Sequence, residues 1–103
     1  MSQKVEETLN RINTHQGVLG VLIVNDKGVA IRSTMNQEET IDTGSLITQF
    51  TTKAQAAIKG LHSDEEIVFI RIRSREHEIM IAPDKEFTMI VIQDDPSKVV
   101  EEK

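Results

Sequence analysis

The sequence predicts an α+β fold with the element order α-β-β-α-β-β-β: a five-stranded, mostly antiparallel sheet carrying helices on its faces. Three observations predict it. Apolar residues recur at helical spacing in segments 3–15 and 46–61, short apolar and β-branched runs fill 18–34 and 66–93, and turn sequences (NDKG, SRE, PDKE) separate those runs. At 103 residues the chain fits one domain, expected over residues 1–93. A domain of this size buries roughly 60 to 70% of its unfolded surface, so its stability is modest unless a partner adds to it.

The first helix is expected from Gln3 to His15. Val5, Leu9 and Ile12 share a stripe, Ser2 stands where a cap would, Glu6 and Glu7 suit the positive end of the helix dipole, and Gly17 stops the helix. VLGVLIV, Val18 to Val24, reads as a buried strand. The turn NDKG then leads into a second strand, Val29 to Thr34, giving a hairpin. Thr43 or Ser45 is the expected cap of a long second helix, in which Leu46, Ile47, Phe50, Ala54, Ala57, Ile58 and Leu61 form one apolar stripe ended by Gly60. Three more strands follow, Glu66 to Arg73, Glu76 to Ala82 and Phe87 to Gln93. The remainder, DDPSKVVEEK (residues 94–103), has the polar, acidic composition of a flexible tail.

A helical crossover joins the second and third strands, so these two run in the same direction. The first strand then runs antiparallel to the fifth, and pairing those two in the middle gives the order 2-1-5-4-3 with the third strand at an edge. Alternation along the last three strands puts Phe69, Met80, Ala82, Phe87, Met89 and Val91 on one face and Ile70, Ile72, Ile79, Ile81, Ile90 and Ile92 on the other. Two helices cannot cover both faces of five strands, and a long apolar edge strand is an aggregation hazard unless it is paired. A second copy of the chain would answer both needs. Ala54, Ala56 and Ala57 fit a close helix crossing with a twin as well as they fit simple helix propensity.

Charge and composition exclude several function classes. Arg71, Arg73 and Arg75 beside Phe69 have the look of a nucleic-acid platform, but 17 acidic against 12 basic residues, a net charge of −5 and the lack of any Tyr or Trp argue against one. Pairing of Arg71 and Arg73 with Glu76 and Glu78 across a hairpin, worth a few tenths of a kcal/mol per pair, explains the pattern more simply. The chain has no cysteine, and His15, His62 and His77 stand apart without ligand spacing, so no metal or cofactor is expected. No nucleophile elbow or phosphate loop is present, and the expectation is a non-enzyme. No apolar run approaches the ~20 residues of a membrane span and the first residues are polar, which leads us to expect a soluble intracellular protein.

VEETLNRI, GVLGVLIVNDKGVAIRSTM and FIRIRSREHEIMIAPDKEFTMIVIQ, in this order, resemble the roadblock-type dynein light chains of the roadblock/longin-like family, from Val5 to about Gln93. The resemblance is specific because RIRS, EIM, APDK and IVIQ occur together at the right spacing. It implies a homodimer whose interface includes Ile47, Phe50, Ala54, Ala57 and Ile58 of the second helix and Val68, Ile70, Arg71, Ile72 and Arg73 of the third strand. It also implies a dynein intermediate chain as partner, together with other dynein light chains, in assembly and cargo linkage of a microtubule motor in the cytoplasm or a ciliary axoneme. Met80, Phe87 and Met89 are the expected neighbours of an amphipathic helix from that partner. Other roadblock proteins are scaffolds or regulators of small GTPases, which is the alternative function.

Overall fold

Helix α1 spans Gln3–Asn13 in a computed structural model that describes residues 3–95, the Val5 side chain excepted. Ser2, the expected cap, and the tail from residue 96 lie outside the described residues. The helix ends two residues before the expected His15, because the Thr14 hydroxyl donates to the Arg11 carbonyl at 2.7 Å and the amides of Thr14 and His15 reach back only three residues. Gly17, at φ 88°, then turns the chain into strand β1, Val18–Asn25. Strand β2, Ala30–Ser33, follows a turn built on Asn25, whose Oδ1 accepts from the amides of Lys27 (2.8 Å) and Val29 (3.0 Å). The β1–β2 register slips between Ile23 and Val24, leaving Ile31 as a bulged residue without a partner on β1.

Helix α2 spans Gln37–Leu61 and begins well before Thr43 or Ser45. Its cap is Asn36, whose Oδ1 accepts from the Glu39 amide at 2.8 Å, with Glu38 and Glu39 in the first turn. The expectation placed the start at the first apolar residue, whereas the opening turns are polar and need no apolar stripe. Nor does Gly60 end the helix. The helix continues to Leu61, the cap residue His62 is extended, and its amide still reaches the Ile58 carbonyl at 2.7 Å.

Strands β3 (Ile70–Arg73), β4 (His77–Pro83) and β5 (Phe87–Asp94) complete a five-stranded sheet in the order β2-β1-β5-β4-β3, as expected. β5 continues to Asp94, whose amide donates to the Gly17 carbonyl at 2.9 Å. β3, by contrast, starts at Ile70 and not at Glu66. The Ser74 amide bonds the His77 carbonyl, so the pairs 72–79 and 70–81 are also of the hydrogen-bonded kind, and the next would be Val68 with Pro83. Pro83 has no N–H to give, and just before Val68 the chain is tied to α2, where the Ile67 amide donates to Gln55 Oε1 at 3.0 Å.

The two faces separate as alternation requires. On one, Leu9 and Ile12 of α1 pack over Val21, Ile23 and Val91; on the other, Ile47 of α2 packs over Leu22, Val24 and Ile90. Leu22, Ile23, Ile81 and Ile90 are fully buried, each contributing about 1.5–3 kcal/mol relative to exposure. α2 reaches the sheet closely because Gly44 is bare: a Cβ there would lie 2.7 Å from the Gly28 carbonyl oxygen.

Candidate functional site

The apolar stripe of α2 divides between two directions. Gly44 is buried, and Thr40, Ile47, Thr48, Thr51, Gln55 and Ile58 are half-buried on the sheet-facing side, which is therefore largely polar. Leu46, Phe50 and Leu61 face away at 63, 43 and 75% exposure, with Ala57 exposed between them. Ile47, half-buried, packs against the molecule's own core. Beside α2 on the same sheet face, Ile70, Ile72, Ile79 and Ile92 are only half-buried, and Val68, just before β3, is 81% exposed. Phe50, Ala57, Val68, Ile70 and Ile72 are thus brought to one side of the molecule. Ala54 and Ile58 lie half-buried at its margin.

Arg71 and Arg73 belong to the opposite face, where they do more than decorate a surface. Glu78 of β4 is 1% exposed. Its Oε2 lies 3.4 Å from Arg71 Nε and 3.3 Å from Arg73 Nη2, and its Oε1 accepts from Gln93 Nε2 at 2.8 Å. The expectation of surface pairs missed this burial, because alternation along a strand tells which face a residue takes but not whether anything covers it. A carboxylate out of water must have donors on both oxygens, and here it has them. The two arginine side chains stay more than half exposed, so Glu78 holds each guanidinium from one side while the side chain still meets solvent.

Met80, Phe87 and Met89 are half-buried on this second face, beside α1. Two clefts run beside α1, one past Lys4 and Thr8 and the other past Ile12 and, beyond the helix end, His15; Ala82 and Met89 line both. The three expected partner-binding residues therefore gather at one groove, on the side of the sheet away from α2. Among the described residues no group of His, Asp and Glu has the geometry to hold a metal ion, and His15, His62 and His77 are all exposed. No helix among them is long and apolar enough to cross a membrane.

A five-stranded sheet of order 2-1-5-4-3, with one helix on each face and the long helix entering from an edge hairpin, defines the roadblock class of domain. The Roadblock/LC7 domain family matches residues 4–94, and the chain belongs to that family. Solved structures agree in fold. A Roadblock/LC7 domain from Streptomyces avermitilis superposes with a TM-score of 0.76 at 4% identity, over 82% of this chain and 72% of that one. An MglB with a tetrameric arrangement gives 0.76 at 12%, over 89% and 71%. MglB of Myxococcus xanthus gives 0.74 at 17%, over 90% and 77%. At these identities the likeness is one of fold alone.

Proposed function

We propose that this chain is a non-catalytic interaction subunit: two copies pair through α2 and β3, and the dimer holds a segment of another protein. The observation that carries this reading is the distribution of apolar surface. α2 turns Leu46, Phe50 and Leu61 away from its own sheet, and on the same sheet face the isoleucines of the edge strand β3 are only half covered; an isologous contact would bury both sets at once. Equilibrium sedimentation at micromolar protein is expected to give about twice the 11.6 kDa chain mass; a single 11.6 kDa species would overturn the pairing.

For the held segment, the run from Phe69 to Gln93 supports a dynein intermediate chain, since it matches the light-chain pattern and folds into three adjoining strands. On that reading the protein works in the cytoplasm at microtubules or in an axoneme, linking motor and cargo. The second reading is a roadblock scaffold or regulator of a small GTPase. The comparisons favour it, because the solved structures named above are a bacterial roadblock domain and MglB proteins, none of them a dynein subunit. Affinity capture from the native cell followed by mass spectrometry separates the two. Stoichiometric recovery of an intermediate chain supports the first, and recovery of a GTPase in its place overturns it.

A further inference from the structure

Ser63 is the only serine or threonine in the chain whose next three residues are all acidic, Asp64, Glu65 and Glu66. All four are exposed, in a turn just past the end of α2 that the Glu65 amide closes on the His62 carbonyl at 3.0 Å. From His62 to Phe69 the chain is in neither helix nor strand. Gln55, through the Ile67 amide at 3.0 Å, and Lys59, 3.6 Å from Glu66, tie this stretch to α2. A kinase can therefore take it up without unfolding an element of the sheet. A hydroxyl followed by a run of carboxylates is what a serine kinase with a basic substrate groove selects, by charge complementarity. Ser63 Oγ attacks the γ-phosphorus of a nucleoside triphosphate, the bond to the diphosphate breaks, and the hydroxyl proton passes to the kinase's base.

The phosphate lands where the fold tolerates negative charge least. Lys59 of α2 and, across the cleft that Glu66 shares with the turn between β4 and β5, Lys85 face Asp64, Glu65, Glu66 and Asp84, with His62 an exposed neighbour. The negative pole of the 25-residue helix α2 points the same way. A further charge of about −1.5 to −2 therefore meets like charge on most sides. The last turn, Lys59-Gly60-Leu61, has little with which to resist: glycine is a weak helix former, a Cβ at Gly60 would meet nothing within 4 Å, and Leu61 is 75% exposed. Leu61 also belongs to the apolar surface through which two copies are proposed to pair.

We infer that Ser63 is a phosphorylation site for a serine kinase directed to acidic sequences, and that its phosphate frays the last turn of α2, withdraws Leu61 and weakens the pairing of two copies. The effect on pairing rests on the reading of the chain as a dimer. The site and the fraying do not.

The test treats the intact protein with an acidic-directed serine kinase and a nucleoside triphosphate, then maps the product by tryptic digestion and mass. Cleavage after Lys59 and Arg71 releases the peptide of residues 60–71, in which Ser63 is the only hydroxyl side chain. One phosphate is expected on this peptide, none on it in Ser63→Ala, and the same phosphopeptide is expected from the native cell. In the phosphorylated protein the His62 amide, bonded to the Ile58 carbonyl, should exchange its hydrogen faster. The dimer dissociation constant should rise about tenfold, as added charge at the end of a helix in each copy dictates, and phosphatase should restore it. Ser63→Glu, with less charge, should shift both readings the same way by less. A peptide without phosphate, either from the kinase reaction or from the cell, would overturn the site. Phosphate on Ser63 with unchanged amide exchange would overturn the fraying, and faster exchange with an unchanged dissociation constant would overturn its link to pairing. A monomer before any phosphorylation overturns the dimer reading instead, while the phosphopeptide and the His62 amide still decide the rest.

Discussion

At residue scale the decisive group is Glu78. Its two oxygens are not equivalent, since both arginines converge on Oε2 while Gln93 alone serves Oε1. Arg73→Ala leaves Arg71 on the same Oε2, so no buried oxygen is stranded, and should cost about 0.5–1.5 kcal/mol, the net worth of a typical hydrogen bond. Gln93→Leu strands a buried carboxylate oxygen and should cost about 1–3 kcal/mol, although leucine is the more apolar residue. Urea denaturation of the two variants checks the order; equal midpoints would show that water or another donor reaches Oε1. The sequence made the partners legible, through alternation across the SRE turn. It did not make the burial legible, because the cover comes from the neighbouring strands and from Gln93, fifteen residues away.

Elements were legible wherever a hydrophobic period runs to the element's end, as in β1 and β5. Boundaries set by single polar atoms were not. Asn36-Gln37-Glu38-Glu39 contains a cap and an acidic first turn, a signal present in the sequence but overshadowed by the apolar stripe that starts at Leu46. Asn36→Ala should therefore lower stability by about 1 kcal/mol, read as a fall in the thermal midpoint, whereas Thr43→Ala, inside the helix, should not act as the loss of a cap. The two glycines of α2 should respond with opposite signs. Gly44→Ala drives a methyl onto the Gly28 carbonyl, and a backbone atom cannot step aside, so a loss of about 1–3 kcal/mol is expected. Gly60→Ala meets nothing within 4 Å and should gain about 0.5 kcal/mol from helix propensity. Thermal melts of the pair check both signs at once.

For the whole molecule, the strand order followed from connection rules and from counting helices against faces, and the roadblock family from a long, correctly spaced run of residues. What those rules do not give is which way each side of α2 points, because a wide stripe is compatible with either rotation of the helix until Gly44 seats it. In the proposed dimer, Ile70 stands on the half-covered face at the contact. Ile70→Lys places an ammonium there, which costs several kcal/mol if it is kept from water, so the contact should open and sedimentation should report 11.6 kDa. Arg75→Ala, at an exposed turn, should leave the mass unchanged. An Ile70→Lys protein that stays dimeric would move the contact away from β3. A sheet extended through β3 has one free boundary left on each copy, and that boundary is β2. There the bulge at Ile31 acts as a terminator of growth: its broken register gives an incoming strand no regular template, so assembly closes at a finite particle where a straight β2 would allow the sheet to polymerise.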